Sequence, residues 1–238
     1  MVVLYSTSYT AAIGAMEKEF NVSSEAITTL GVTTYLVGLA VGSLVLAPIS
    51  ETYGRKPVYT IAMFFFTLLV IPCARATSMT EIIVVRFFGA LAGSSMIANA
   101  PGTIGDIISD DYRATAFSIW CIGPMNGPTI GPIIGGFITQ YKGWRWGNWV
   151  VMIAGGTAFI LQVIIQETYN PTLLQNKAKK LRKETGDERY WSQYDQKLPF
   201  LQLMKINLSR PFIMAVTEPI CIFWNVYVAI IYGESRTF

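Results

Sequence analysis

A Gly-Pro pair recurs at four-residue spacing in the apolar segment 123–136, and this run constrains the fold more than any other feature of the sequence. Each proline inside a helix removes one backbone donor and clashes with the carbonyl one turn earlier, which costs about 3 kcal/mol in water. In a bilayer the backbone has no other partner, so the segment remains helical while packed neighbours absorb the distortion. The glycines form a stripe without side chains, along which another helix can approach closely. The run therefore predicts a membrane-spanning helix with a close helix contact.

The composition also indicates a membrane protein, because 52% of the residues are hydrophobic and 14% are charged. A helix of about 20 apolar residues is long enough to cross the hydrocarbon core of a bilayer. Apolar windows of this kind lie near 30–49, 57–74, 82–105, 114–138, 148–166 and 211–232. The sequence therefore predicts an all-α fold, a polytopic membrane helix bundle.

The stretches outside these windows indicate how the chain is divided. The apolar segment 1–16 is too short to span and is interpreted as the outer half of a helix that begins upstream. In the polar stretch 167–210, Leu174, Ala178 and Leu181 recur at helical spacing, which predicts a helix on the cytosolic membrane face. The expected parts are a transmembrane bundle, a cytosolic connector and a partial seventh helix, at 1–166, 167–210 and 211–238.

The distribution of Lys and Arg predicts the orientation. If the loop 50–56 faces the cytosol, most cationic residues lie on that side, including the basic run 177–183. The opposite side then holds Lys18, Arg75, Lys142 and Arg145. This bias agrees with the positive-inside rule, and the basic run is expected to lie against anionic lipid. The net charge of +3 therefore requires no nucleic-acid partner.

Several kinds of chemistry find no support in the sequence. The chain contains no His, which is the commonest general base and metal ligand. Cys73, Cys121 and Cys221 are far apart in apolar stretches and match neither a zinc spacing nor a disulfide framework. No phosphate-binding Gly-x-x-x-x-Gly-Lys-Ser/Thr loop is present. We therefore expect no cofactor, no metal and no catalytic residues.

Charged residues stand out at three places. In the loop 47–57, Glu51 lies four residues before Arg55, and Gly54 suits a left-handed turn; the loop is either a functional turn or a polar loop on the positive side. Arg86 lies about one turn inside its window, where it either extends to the interface or lines an aqueous cavity. Asp106, at the far end of the same window, either pairs with Arg55 or lies among lipid headgroups.

The loop 47–57 resembles the signature loop of the major facilitator superfamily, and it is closer still to the version in fungal twelve-helix drug:proton antiporters. It departs from the general pattern at Ala47, Glu51 and Thr52, which replace Gly, Asp and Arg. The segment 86–93 resembles the helix 4 motif of that family, with Ala90 in place of Gly.

The Gly-Pro run resembles the antiporter motif of helix 5, although Ser118 occupies its distant first glycine position. The residues that match this motif are Gly127, Pro128, Gly131, Pro132, Gly135 and Gly136. The segments 143–146 and 167–171 are similar to the same subgroup, with Gln166 where proline is usual. Together these motifs identify the chain as resembling the N-terminal six-helix half of such a transporter, with helix 1 truncated.

The resemblance implies a fragment of a secondary active transporter, which exports small organic compounds or drugs in exchange for protons. It implies a proton-coupling role for Arg86 and a gating role for a charged cluster that breaks and re-forms. The residues of that gating loop are Glu51, Gly54, Arg55, Lys56 and Asp106. The implied partners are the lipid bilayer, a small organic substrate, protons and a missing C-terminal half, and the expected location is the plasma membrane.

Substrate contacts are less clear from the sequence. Tyr35, Asn99 and Asn126 are aromatic or polar groups within spans and are candidates for a substrate cavity, although each could equally bond a neighbouring helix. The alternatives for function are a nutrient or sugar importer of the same superfamily and a truncated membrane protein that does not transport. An enzyme is the weakest alternative, because no nucleophile–base or metal constellation is apparent.

Overall fold

The computed structural model describes residues 1–22, 24–187, 189–192, 208–210 and 213–234, and the regular elements among them are all helical. This confirms the predicted all-α fold. The chain forms two compact units, Met1–Asp195 and Gln196–Phe238, which are described separately. The predicted division into bundle, connector and partial seventh helix stays a prediction.

The first unit contains nine α-helices among its described residues, and the second contains α10. Their bounds are α1 (Val2–Ser8), a 3-10 turn (Thr10–Ala12), α2 (Ile13–Phe20), α3 (Glu25–Tyr53), α4 (Arg55–Arg75), α5 (Met79–Ala98), α6 (Ala100–Ile107), α7 (Asp110–Lys142), α8 (Trp144–Ile164), α9 (Asn170–Thr185) and α10 (Pro219–Glu234).

Four segments in the described part of the chain are long and apolar enough to cross a membrane. They are Ala26–Tyr53, Arg55–Arg75, Met79–Ile107 and Trp144–Ile164, and a bent pair of helices that includes most of α10 would make a fifth. These segments match five of the predicted windows, although 211–232 begins outside the described residues. The sixth window, 114–138, lies within α7, whose glycines and prolines make it less apolar than the other spans.

Proline and glycine determine where several helices end or bend. One glycine with positive φ separates α3 from α4 and another separates α7 from α8: Gly54 has φ +100° and Gly143 has φ +86°. The window 82–105 is not one straight helix, because α5 ends before Asn99 and α6 begins there. Pro101 explains this break, since it has no N–H to bond the carbonyl one turn earlier. In contrast, α7 continues through three prolines over 33 residues.

The segment 1–16 also differs from the single short helix that the sequence suggests. It divides into α1, the 3-10 turn and the first part of α2, so the regular α-helical hydrogen bonding is interrupted beside Tyr9. The helix predicted within the connector is present as α9. However, Ala178 on its apolar side is buried in the protein, as is Gln175, so this side does not simply face lipid.

The core of the bundle forms where α5 packs between α3 and α4, while α8 packs on α4 and α7 on α1. Tyr5, Tyr35, Phe66 and Val70 belong to one buried cluster, and Met16, Ile82 and Trp144 to a second. Many large apolar side chains remain exposed on the outside of the helices, as expected for a surface that contacts lipid. We refer to the two ends of the bundle as the Arg55 end and the Trp144 end, since α4 begins at the first and α8 begins at the second.

Candidate functional site

Arg86 is the most deeply buried charged side chain among the described residues, with 2% of its surface exposed. It lies on α5, two turns after the helix begins at Met79. The N-terminus of α5 is fixed by Ser78, whose Oγ accepts a hydrogen bond from the Glu81 N–H at 3.3 Å. Of the two possibilities left open by the sequence, extension to the interface is wrong, and the side chain points into the bundle.

Three tyrosine rings surround the Arg86 guanidinium. Its central carbon lies 4.1 Å from the centre of the Tyr9 ring and 4.8 Å from the centres of the Tyr5 and Tyr35 rings. The negative face of each ring attracts the cation and replaces part of its lost hydration. We call Arg86, Tyr5, Tyr9 and Tyr35 the Arg86 cage.

The hydroxyl groups of the three tyrosines are all bonded outside the cage, which fixes the orientation of the rings. Tyr5 donates to Oδ1 of Asn148 on α8 at 2.8 Å. Tyr9 donates to the Thr28 carbonyl at 3.0 Å, and Tyr35 donates to the Val2 carbonyl at 2.9 Å. The cage therefore joins α1, α3, α5 and α8.

Backbone carbonyls supply the hydrogen bonds of Arg86 itself. Its Nε donates to the Gly31 carbonyl at 3.0 Å, and one terminal nitrogen donates to the Ser6 carbonyl at 3.3 Å. The Ser6 carbonyl is available because it lies in the last turn of α1, where carbonyls have no partner within the helix. Gly31 also leaves space for the cage, since a Cβ there would lie 2.5 Å from the Tyr9 hydroxyl. Across the described part of the chain, no carboxylate forms an ion pair with Arg86.

A cavity of about 50 Å³ lies beside the cage, toward the Trp144 end. Arg86, Tyr5 and Tyr9 contribute to its wall, together with Asn148 and the mainly apolar side chains of α7 and α8. Gly31 and Asn148 were missed at the level of sequence, because neither a glycine nor an amide within an apolar window indicates by itself that it faces a buried cation.

A second group of charged residues lies at the Arg55 end, where Arg55 Nε is 2.8 Å from Asp106 Oδ2. Asp106 reaches this position because α6 follows the bend at Asn99. Gly102 allows the contact, since a Cβ at that position would lie 2.6 Å from the guanidinium. The Tyr169 ring packs against Arg55, with its centre 5.2 Å from the guanidinium carbon.

Glu167 connects three parts of the chain at the same end. Its carboxylate accepts the backbone N–H groups of Arg55 and Lys56 at 3.1 Å each, and those of Thr168 and Tyr169 at 2.9 and 3.0 Å. The first two are unpaired donors of α4, whose preceding residue, Gly54, has no side chain to bond them. Glu167 thus caps α4, although it lies more than 100 residues after Arg55 in the sequence. We call Arg55, Asp106 and Glu167 the Arg55 cluster.

The other residues of the predicted gating loop occupy different positions. Glu51 is exposed near the end of α3, and the ion pair of Arg55 is formed with Asp106. Gly54 is buried, and a Cβ there would lie 2.5 Å from Glu167 Oε2. Lys56 is half-buried and contributes its backbone N–H to the cap. The gating role of these residues stays a prediction.

The glycine stripe of α7 lies against α1. Gly127, Gly131 and Gly135 are buried, and a Cβ at each would meet Leu4, Thr7 or Ser8 of α1 or their immediate neighbours. The Thr7 hydroxyl also donates to the Gly127 carbonyl at 3.3 Å. One expectation is corrected: Gly123, which the four-residue spacing places in the stripe, has open space where a Cβ would be. Gly136, a residue of the motif outside that spacing, also has open space there. Pro128 and Pro132 are not buried and take no part in this contact surface.

The three residues predicted for a substrate cavity do not come together. Tyr35 is part of the Arg86 cage. Asn99 is buried at the bend between α5 and α6, and its Nδ2 has no hydrogen-bond partner in the described part of the chain. Asn126 is exposed on α7, and its Nδ2 donates to the Ile122 carbonyl of the same helix at 2.8 Å.

The Trp144 end has a polar contact that the sequence did not indicate. Glu19 accepts hydrogen bonds from Trp144 Nε1 at 2.6 Å and from Arg145. Arg145 also donates to the Ala76 carbonyl at 3.2 Å. The bonds from Trp144 and Arg145 lower the pKa of Glu19, because they stabilise its ionised form. This contact connects the ends of α2 and α4 to the start of α8.

Comparison with known proteins gives one consistent result. The family model described as the Major Facilitator Superfamily matches residues 1–235. The chain is 38% identical to "Efflux pump radE" of Floropilus chiversii over 98% of this chain and 44% of that protein. It is 34% identical to "Multidrug transporter FLR1" of Candida glabrata over 98% of this chain and 43% of that protein. The chain therefore spans less than half the length of these curated relatives.

A solved structure has the same fold. The proton:xylose symporter XylE, bound to 6-bromo-6-deoxy-D-glucose, matches with a TM-score of 0.62 at 15% sequence identity. The match covers 94% of this chain and 54% of that protein. At this level of identity the likeness concerns the fold alone, and it confirms the prediction of a transporter-type helix bundle.

Proposed function

The chain belongs to the major facilitator superfamily and is an integral membrane protein, and we propose that it forms one half of a proton-coupled exporter of small organic compounds. Two of its relatives are named as an efflux pump and a multidrug transporter, which supports export over import. Transporters of this type consist of two repeats that rock against each other around a site at their interface. Residues 1–166 are proposed as the first repeat, 167–210 as the connector and 211–238 as part of the second.

The single observation that supports this function best is the burial of Arg86 within a membrane span. A charge near the centre of a span raises the free energy of membrane insertion by about 2.5–3.5 kcal/mol, so a purely structural role would destabilise the protein without a functional benefit. Apolar residues of similar volume would pack at lower cost. A buried arginine is therefore best explained by a role in transport.

The role of Arg86 in proton coupling is electrostatic. An arginine keeps its proton in proteins, so Arg86 cannot itself carry protons across the membrane. A fixed positive charge instead lowers the pKa of acidic groups that approach it and repels other cations. We propose that the cage couples protonation elsewhere in the complete transporter to the conformation of α5.

The Arg55 cluster is proposed as the contact that breaks and re-forms during gating. It connects α4 to α6 through Asp106 and to the start of α9 through Glu167. A motion of the bundle against the connector would have to break the bonds from Glu167 to the start of α4, and a shift of α6 relative to α4 would break the ion pair of Arg55 with Asp106. Glu51, Gly54 and Lys56 are proposed to support this cluster from the adjoining turn.

The remaining assignments follow from the same proposal. The antiporter motif on α7 supplies the close contact with α1, which holds Tyr5 and Tyr9 in the cage. Tyr35, Asn99 and Asn126 are proposed to contact substrate or the second half in other conformations. The partners are then lipid, protons, a small organic substrate and a C-terminal half, and we propose the plasma membrane as the location.

Vesicle transport tests the proposed function. Residues 1–238 would be joined to the second half of the Floropilus chiversii relative and reconstituted, and efflux of a fluorescent apolar cation and a fluorescent carboxylic acid would be measured. We expect efflux of at least one compound to depend on a pH gradient, and Arg86→Ala to abolish that dependence. Arg113→Gln, which removes a half-buried cation on α7 that pairs with Asp110, is the matched control. Efflux that does not depend on the pH gradient, or gradient-dependent efflux that persists in Arg86→Ala, would contradict the proposal.

A further inference from the structure

Among the residues that the structure describes, no carboxylate forms an ion pair with Arg86, so the Arg86 cage keeps its positive charge. Its three tyrosines offer ring faces and its two hydrogen-bond acceptors are neutral carbonyls. We propose that the cage and the cavity beside it bind a small monovalent anion, either a free halide or the carboxylate group of an organic acid.

The electrostatics of the cage favour an anion. Ring faces lower the energy of a buried cation, but they leave its net charge unchanged. In surroundings of low dielectric constant, an opposite charge within 4 Å is attracted far more strongly than it would be in water. A guanidinium also has five N–H donors, and the two hydrogen bonds to Gly31 and Ser6 leave donors for another acceptor.

The cavity has the size and the lining that such a group requires. A water molecule needs about 10–15 Å³ on the same kind of measure, so about 50 Å³ holds a halide or a carboxylate group. Drug-sized ligands occupy pockets of about 300–1,000 Å³, so a whole molecule of that kind does not fit. Arg86 and Asn148 contribute polar groups to the wall, as do Ser8 and Thr139. Apolar residues complete the wall, among them Ile82, Ile134 and Val151.

Carboxylate and halide differ in what they imply for function. A carboxylate would belong to a larger molecule whose apolar part extends beyond the cavity, which makes organic acids the substrate class. A halide would be a bound ion that neutralises Arg86 without being exported. The link to an exported acid rests on the proposed function, whereas the anion site itself does not.

Thermal unfolding of the purified chain 1–238 in detergent tests the site without any transport. The unfolding midpoint would be measured with increasing sodium formate, sodium chloride or sodium gluconate at constant ionic strength, and with formamide as the neutral analogue of formate. Wild type is compared with Arg86→Gln, Arg86→Lys and the control Arg113→Gln, which removes a cation that is 43% exposed. All four proteins would first be checked for helical content by circular dichroism.

We expect a saturable rise in the midpoint with formate for wild type and for Arg113→Gln. Formamide should give no rise because it is neutral, and gluconate should give none because the mainly apolar wall does not accommodate its hydroxylated chain. In Arg86→Gln the half-saturating concentration should increase about tenfold or more, because a charge-assisted bond is lost. Arg86→Lys should still respond, but without preference for formate over chloride, since an ammonium cannot bind both oxygens in parallel.

The outcomes separate the two sources of the anion. Stabilisation by formate but not by chloride supports a carboxylate ligand, and stabilisation by both supports a free-anion site. A wild-type chain that responds equally to formate, gluconate and formamide overturns the proposal, even if Arg86→Gln fails to fold. An equal response in wild type and a folded Arg86→Gln also overturns it. Loss of gradient-driven efflux in the vesicle assay would leave this binding result intact, so the two proposals can fail separately.

Discussion

The contact between α7 and α1 gives the sharpest stability prediction, because two adjacent glycines of α7 lie in opposite environments. A Cβ at Gly135 would lie 2.6 Å from the Ser8 carbonyl oxygen and 3.1 Å from Ser8 Cα, whereas a Cβ at Gly136 would meet no atom within 4 Å. The Ser8 atoms belong to the backbone, so they cannot move aside as the end of a flexible side chain could. We therefore compare Gly135→Ala with Gly136→Ala.

The expected magnitudes follow from two terms. Replacing glycine by alanine within a helix gains about 1 kcal/mol, and this term is common to both variants. Overpacking adds a cost of about 1–3 kcal/mol at Gly135 alone. Gly136→Ala should therefore stabilise the protein by up to about 1 kcal/mol, and Gly135→Ala should be less stable than Gly136→Ala by about 1–3 kcal/mol.

Thermal unfolding of the purified chain in detergent measures this difference. For a protein of about this size, 1 kcal/mol corresponds to about 2–4 °C, so the two midpoints should differ by about 2–12 °C. Equal midpoints for the two variants would refute the close contact between α7 and α1. A midpoint for Gly136→Ala well below wild type would show that the open side of α7 is also packed.

Three further predictions concern the two ends of the bundle. Glu167→Ala should destabilise the chain by about 1–3 kcal/mol, because α4 loses its cap and the carboxylate near its N-terminus. The control Glu184→Ala, at an exposed position, should change stability little. Equal effects of the two variants in chemical unfolding would argue against the cap. Because the pKa of Glu19 is lowered in the folded protein, its ionised form contributes stability that is complete above the ordinary pKa of 4.5 and is lost as the pH falls through the lowered pKa. Glu19→Gln should therefore make the free energy of unfolding depend less on pH in the acid range. An unchanged pH dependence there would contradict this. Single cysteines would be placed at the exposed positions Lys180 and Lys142 in a chain without other cysteines. A membrane-impermeant thiol reagent should label them from opposite sides, with position 180 on the cytosolic side. Labelling of both positions from the same side would refute the topology.

Much of the fold was predictable because membrane spans are determined by long apolar windows. Five windows match helical segments that could cross a membrane, and the Gly-Pro run gives one long helix with a close contact, as its spacing predicts. The break at Asn99 was not predicted, although Pro101 was visible in the sequence. Proline interrupts the helix there but not at three positions in α7, because neighbouring helices decide whether the distortion is absorbed.

The candidate site was predictable only in part. Arg86 and Asp106 stood out because charges near apolar windows are rare. In the structure Asp106 forms an ion pair with Arg55. The carboxylate that caps α4 belongs to Glu167, which lies more than 100 residues later in the chain, and no sequence pattern indicated that bond. Tyr5 and Tyr9 surround Arg86 because α1 packs against α3 and α5, and no pattern in the sequence indicates which helices become neighbours.

The most direct test of the proposed function compares the chain alone with the chain and a second half supplied together. Vesicles with residues 1–238 alone should show no efflux that depends on a pH gradient, since the site between two repeats is incomplete. Addition of the second half of the Floropilus chiversii relative should produce gradient-dependent efflux, and Arg86→Ala should remove it. Gradient-dependent efflux by residues 1–238 alone, lost in Arg86→Ala, would contradict the proposal and identify this chain as a working transporter by itself.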